Sequence, residues 1–224
     1  MAENRLYDSL LMLPLFLGMS RNDLQQVAGQ TKFDFKKFVE GTTIVNDGDV
    51  CKHLYFLLNG NISVTTDADD HGYRIIEYLT APEIFQPECI FGLSQRYTHT
   101  YIAGKYCSMM CIDKQEIMKL SEQFEIFRLN LLNLVSTLSQ KQSRKAWKVP
   151  PRTLEERITR FFEAHCVHPA GEKILYIKMI RIAEELNDSR LDISKALNAM
   201  QDKQLLRLYR GRIHIPALEK LINQ

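Results

Sequence analysis

The sequence predicts an α+β chain with three parts: an N-terminal β-roll of jelly-roll type, a long helix suited to dimerisation, and a C-terminal winged helix-turn-helix. Three observations predict it. Short β-like runs with turn signals between them fill the stretch from Phe33 to Ile112. Residues 122–147 then form an apolar-rich run without Gly or Pro. A capped amphipathic segment, Ser189 to Met200, is followed by a strand-turn-strand pattern.

In chain order, Met12 to Gln30 reads as helix, with Ser20 as N-cap and Asp23 three residues on. Leu54–Leu58 and Ile62–Thr66 are separated by Asn59-Gly60-Asn61, and Asn-Gly is a strong hairpin signal because both residues tolerate positive φ. Asp69-Asp70-His71-Gly72 makes a second turn before Arg74–Leu79. Many short strands at this spacing suggest a jelly roll.

After Ile112, Asp113 caps a helical start. In the long helical run, Phe124, Phe127, Leu131, Leu134 and Leu138 step by 3, 4, 3 and 4, a heptad seam. Ile126, Leu129, Leu132 and Val135 lie largely off that seam. A helix apolar on more than one face must be covered on each, so one side is expected on the β-domain and another on a second copy of the chain, the heptad residues forming the dimer interface. Val149-Pro150-Pro151 ends the helix, since proline cannot continue it, and Thr153 caps the next segment.

Ser189 is a natural N-cap with Asp192 three residues on, and Ile193, Ala196, Leu197 and Met200 recur as a buried stripe. Leu191, Ser194, Lys195 and Asn198 share the opposite face, with Arg190 in the first turn. A second amphipathic segment, Met179 to Leu186, precedes across Asn187-Asp188. Two helices and a turn occur in many domains. Here Leu205–Tyr209 and Ile213–Ile215 follow as two strands around the basic tip Arg210-Gly211-Arg212, which is a wing. Such a unit places its second helix in the DNA major groove and its wing on phosphates.

The composition, 45% hydrophobic and 25% charged in 224 residues, is that of a globular protein with ample core. No apolar run approaches a membrane span and no signal-peptide pattern opens the chain, so a cytoplasmic protein without membrane contact is expected. Five cysteines, Cys51, Cys89, Cys107, Cys111 and Cys166, show no metal spacing and read as small buried hydrophobes. Net charge hides an asymmetry. Residues 1–140 hold 12 Lys/Arg against 17 Asp/Glu (net −5), whereas residues 141–224 hold 17 against 10 (net +7). An acidic front and a basic back suit a sensor followed by a nucleic-acid-binding domain.

This order resembles the Crp/Fnr family of bacterial transcription regulators along nearly the whole chain. The resemblance rests on Gly48-Asp49, Leu54 through Val64, Ile182-Ala183-Glu184-Glu185-Leu186, Ser189 through Asn198, and the wing at Gly211. It implies a cyclic-nucleotide-binding-like sensor domain over residues 1–120, a dimerisation helix over 121–149, and a winged helix-turn-helix over 150–224. Carried over by position, Arg190, Leu191 and Lys195 face base edges, Arg190 being able to bind guanine bidentately and Leu191 favouring a thymine methyl. Ser189, Ser194 and Asn198 accompany them, and Lys178, Arg181, Arg210 and Arg212 are phosphate candidates.

The departure lies in the effector pocket. Nucleotide-binding members of the family carry a Gly-Glu pair and, about ten residues later, an Arg followed by Ser or Thr. With Glu88 in the Glu slot, the Gly slot falls on Pro87 and the Arg slot on Thr98; slipped by one, Pro87 and Tyr97 take the Glu and Arg slots. Proline removes an amide from the phosphate cradle, and the charge-assisted partner of the phosphate is gone. Arg96 is close in sequence, but in a strand it faces away from Tyr97. Binding of cAMP in the usual way is therefore not expected. Phe85, Glu88, Phe91, Tyr97, Thr98 and Tyr101 mark the altered pocket, which takes another small molecule or nothing.

Scattered histidines give no His-x-His cluster for cupin-type metal chemistry, the family's iron–sulfur cysteine cluster is missing, and His165-Cys166-Val167-His168 offers only three local ligands. The expectation is a non-enzymatic homodimer without metal or bound cofactor. Its partners are double-stranded DNA and, as family practice implies, RNA polymerase. The alternative is a regulatory module with the same fold but no DNA contact.

Overall fold

The structure is a computed structural model and describes residues 7, 9–145, 147 and 149–223. It divides into two compact units. The first comprises Met1–Ile62, Leu79–Thr98 and Ile102–Lys148; the second comprises Ser63–Tyr78, His99–Tyr101 and Val149–Gln224.

In the first unit, β1 (Asp34–Lys37), β2 (Thr43–Val45), β3 (His53–Asn59), β6 (Glu83–Ile84) and β8 (Ser108–Asp113) supply the strands. A four-stranded antiparallel sheet runs β1-β8-β3-β6, with Phe56 opposite both Met110 and Ile84. Two helices follow, α2 (Lys114–Gln123), capped by Asp113 as expected, and α3 (Glu125–Lys145); α1 (Arg21–Gln30) precedes the sheet. Phe16, Phe56 and Phe127 form the aromatic centre of this core, with the Phe16 ring 5.3 Å from Phe127 and 6.3 Å from Phe56. Asn130 fastens α3 by donating to the carbonyls of Leu15 and Leu17.

Three expectations are corrected here. The helix anticipated over 12–30 is split: Pro14–Phe16 is a 3₁₀ turn and Gly18 has φ of 80°, so only Arg21–Gln30 continues, behind the Ser20 and Asp23 capping box. Asn59-Gly60-Asn61 does not close a hairpin, because β3 and β4 (Asn61–Asp67) pair in different sheets. Gly60 instead makes a corner at φ of 87°, where a Cβ would stand 2.5 Å from the Lys105 carbonyl oxygen. The long helix does not run unbroken through residue 124. Phe124 leaves helical geometry at φ −122°, ψ 105° and buries its ring, so α3 begins at Glu125.

The second unit contains β4 from Ser63 on, β5 (Arg74–Thr80, of which Arg74–Tyr78 lies here), the start of β7 (Thr100–Ala103), β9 (Lys173–Tyr176), β10 (Arg207–Tyr209) and β11 (Arg212–Ile215). Its helices are α4 (Leu154–His165), α5 (Met179–Leu186), α6 (Arg190–Asp202) and α7 (Leu218–Ile222). The strand order β10-β11-β9-β5-β4 shows how it is built: the wing sheet is extended by the β4–β5 hairpin, turned at Asp69–Gly72 as anticipated. Arg74–Glu77 runs antiparallel to Lys173–Tyr176. The sequence division at 149/150 therefore omits one hairpin from this unit, since its pairing partner is distant along the chain. Ile75 joins Phe162, Leu175, Ile182, Ile193, Leu197 and Ile213 in a single hydrophobic core.

Below Ile75 lies a fully buried ion pair. Lys173 Nζ sits 2.9 Å from Glu77 Oε2 with neither side chain exposed. Glu77 accepts the Val167 and His168 amides at 2.6 and 3.2 Å, and Lys173 donates to the Ala170 carbonyl at 2.7 Å. Every charge-bearing atom is thus matched, the condition under which such a pair persists in a core.

The cysteines are free, four of them buried, and burial pushes the thiols of Cys89 and Cys166 up to about 12 and that of Cys111 to about 11. Such thiols stay protonated and inert. His165 Nδ1 donates to the Phe161 carbonyl at 2.7 Å and its ring packs 4.3 Å from that of Phe161. Among the described residues no helix is long and apolar enough to cross a membrane.

Candidate nucleic-acid interface

Helix α6 is set by its own first turn. Ser189 Oγ accepts the Asp192 amide at 3.0 Å and donates to Asp192 Oδ2 at 2.7 Å. Ser189 and Lys195 together hold the Asp192 carboxyl below its ordinary range. Replacing Ser189 with alanine should cost about 1 kcal/mol of stability, read as a shifted urea midpoint at unchanged slope. Ile193, Ala196, Leu197 and Met200 are buried, as the spacing predicts. The turn before the helix is held from outside: Asn187 adopts the left-handed region, and Arg157 of α4 pairs with Asp188 at 2.8 Å and donates to the Leu186 carbonyl.

The opposite face of α6 is open. Arg190, Leu191, Lys195 and Asn198 are exposed, Leu191 at 65%, and Ser194 is partly covered. Lys195 lies 3.3 Å from Asp192, and Asn198 donates to the Ser194 carbonyl at 2.7 Å. A groove of about 440 Å³ runs beside the start of the helix. Lys178, Ile180, Arg190, Tyr209 and Arg210 border it, so the start of α5, the start of α6 and the wing converge. Lys178, Arg190 and Arg210 have no acidic partner among the described residues. The wing turn is Arg210-Gly211, with Gly211 at φ of 71°, while Arg212 lies in β11 with its guanidinium 4.4 Å over the Tyr209 ring.

Arg181 does not join this group. It is held by Asp70 at 2.9 Å and Glu185 at 2.7 Å and lies over the Tyr73 ring, so it is not available as a phosphate contact. Its Nε is buried without a hydrogen bond. Tyr209 and Ile180 were missed by sequence reasoning, although strand alternation around Leu208 already places Tyr209 outward.

The anticipated effector residues do not meet around one cavity. Phe85, Tyr97 and Tyr101 are core side chains, at 0, 2 and 2% exposure, and the Tyr97 hydroxyl donates to the His53 carbonyl. Glu88 is exposed, and Phe91 lies at the surface under Lys114. Thr98 pairs with a residue not anticipated, Gln86, whose side chain donates to Thr98 Oγ1 at 2.6 Å and accepts the Thr98 amide at 3.0 Å. Pro87–Cys89 is a single 3₁₀ turn.

Of the expected dimer seam, Phe124, Phe127 and Leu131 are buried inside their own unit, and Leu134 and Leu138 are half-buried. The three buried residues are spent on the β-roll core and are therefore no surface for a second chain. The apolar face left open on α3 is carried by Ile126, Leu129 and Leu132, at 37, 48 and 57% exposure.

The family of cyclic nucleotide-binding domains matches residues 35–124. Among curated proteins, the cAMP-activated global transcriptional regulator Vfr of Pseudomonas aeruginosa is 22% identical over 180 residues, spanning 76% of this chain and 84% of Vfr. Two crystal structures align over nearly their full length. One is the Thermus thermophilus catabolite activator protein, at 15% identity, 94% of this chain, 97% of that one and TM-score 0.52. The other, from Eubacterium rectale and assigned to the Crp/Fnr family, aligns at 20% identity, 95% and 97% coverage and TM-score 0.52. The proteins matched are transcription regulators rather than enzymes.

Proposed function

We propose that this chain, whose residues 35–124 match the cyclic nucleotide-binding domain family and whose fold is similar to that of Crp/Fnr regulators, is a sequence-specific regulator that binds duplex DNA as a homodimer. One observation carries the reading: Lys178, Arg190 and Arg210, none with an acidic partner among the described residues, border a single groove beside the exposed face of α6. In this reading Arg190 and Leu191 meet base edges, Lys178 and Arg210 meet phosphates, and Lys195 and Asn198 extend the contact along the helix. A second copy is placed along α3, where Ile126, Leu129 and Leu132 form an apolar stripe.

The domain is proposed to respond to something other than cAMP. Pro87 supplies no amide, Glu88 points to solvent, and Gln86 with Thr98 satisfies itself where the family places its phosphate-binding arginine. A neutral amide–hydroxyl pair offers a phosphate no charge-assisted bond.

Selection of genomic fragments by the full chain, with and without cAMP, tests both parts. The expected outcome is a recurrent two-fold motif whose affinity falls steeply with salt and does not respond to cAMP. Salt-independent binding without a motif would remove the DNA reading. A motif recovered only with cAMP would remove the pocket reading.

A further inference from the structure

The outward side of the second unit's sheet carries a pattern that the duplex groove borders only at Tyr209. Along β5, β9, β11 and β10, alternate residues turn into the core, and the remaining ones face out. Three outward positions are tyrosines, Tyr78, Tyr176 and Tyr209, exposed by 44, 42 and 47%. Three are arginines, Arg74, Arg207 and Arg212. The register brings the two kinds together: Arg74 lies opposite Tyr176, and Arg212 lies opposite Tyr209 with its guanidinium over the ring. No outward position of these four strands is acidic.

A single exposed aromatic needs no explanation, but three on one face with interleaved guanidinium groups do. Their spacing follows from the sheet. Neighbouring strands lie about 5 Å apart, so Tyr176 and Tyr209, level with each other on β9 and β10, stand roughly 10 Å apart, while Tyr78 lies four residues along β5 from that row, roughly 13 Å farther down the strand. Beside Tyr176 the face is concave: a cavity of about 570 Å³ is floored by Arg74, Ile76 and Tyr176 and rimmed by Asp67 and His71. Arg74 is held flat there by two bonds to Asp67, at 2.6 and 2.9 Å. A flat cation, an aromatic ring and an aliphatic side chain around one hollow suit a planar heteroaromatic group. Arg207 and Arg212 suit the phosphates linking it to its neighbours.

We propose that this face binds single-stranded nucleic acid, with bases stacking on Tyr78, Tyr176 and Tyr209 and one base seated in the hollow beside Tyr176. Duplex DNA cannot use the tyrosines in this way, because its bases are stacked on one another and present only their edges. The surface touches the groove at α6 only at Tyr209, which borders both; Tyr78, Tyr176 and the hollow lie outside that groove, and their use does not depend on whether it reads duplex DNA.

The test is fluorescence anisotropy of the full chain with a fluorescein-labelled oligothymidylate of about 15 nucleotides, the length a stacking groove covers. Salt-sensitive binding is expected. Tyr176→Ala should weaken it roughly 5- to 150-fold, the range for loss of one base–aromatic stack, while Tyr176→Phe retains it. Arg190→Ala should leave it unchanged, and Tyr176→Ala should leave duplex affinity unchanged. Three results overturn the proposal: no binding at low salt; binding indifferent to both Tyr78→Ala and Tyr176→Ala; or binding lost in Arg190→Ala, which would place the oligonucleotide in the duplex groove. Capture of a protein or of a second copy on this face, without oligonucleotide binding, likewise overturns it.

Discussion

Replacing Glu77 with alanine is expected to destabilise the second unit by about 3–5 kcal/mol, as much as a large core truncation. Glu77 and Lys173 are both fully buried, 2.9 Å apart, and the carboxylate also accepts two backbone amides. Removing it leaves an ammonium group in the core with only the Ala170 carbonyl, and leaves the Val167 and His168 amides without an acceptor. The double substitution Glu77→Leu with Lys173→Met is expected to recover part of this loss, since no charge is left unpaired, but not all of it, because the Val167 and His168 amides still lack their acceptor. A pair of matched apolar side chains avoids the desolvation of two charges. Urea unfolding of the two variants side by side makes the comparison. A loss below about 1 kcal/mol for Glu77→Ala would mean that water reaches the pair.

The second large effect belongs to Arg190. Its substitution by alanine should cost about 1–3 kcal/mol of affinity for the selected site, and the preference should relax at one base position of each half-site. Lys178→Ala should behave differently, weakening all sequences alike and flattening the salt dependence by about one counterion. Leu191 offers a complementary change in specificity. As leucine it favours a thymine methyl, and Leu191→Glu should move that position toward cytosine, whose amino group a carboxylate accepts. Repeating the fragment selection with each variant separates the three roles. An unchanged motif in both Arg190→Ala and Leu191→Glu would show that α6 is not the reading helix.

Features governed by nearest neighbours were legible in the sequence. The Ser189, Thr153, Asp113 and Ser20 caps, the buried stripe of α6 and the wing all depend on residues within a turn or two of one another, and the structure reproduces them. Errors arose where a local signal is ambiguous about distant partners. Asn59-Gly60 marks a turn in either case, but only the approach of the Lys105 and Tyr106 carbonyls decides that it is a corner. The apolar run through Phe124 contains no breaker, and what interrupts it is the pull of the ring into the core. Arg181 looks like a phosphate contact from its own helix; Asp70, which occupies it, is far away in sequence. Gln86 gave no signal at all, because an amide paired with a threonine carries neither charge nor periodicity.

The hairpin in the second unit bears on how this protein can change over generations. Ile75 completes the core around α6, and Glu77 neutralises Lys173, yet both are encoded far upstream, between segments of the first unit. A gene rearrangement that carried off residues 149–224 alone would deliver β9 without its neighbouring strand and Lys173 without its counter-charge. Residues 63–78 and 149–224 therefore have to be inherited together if the second unit is to keep its core and its buried charge pair.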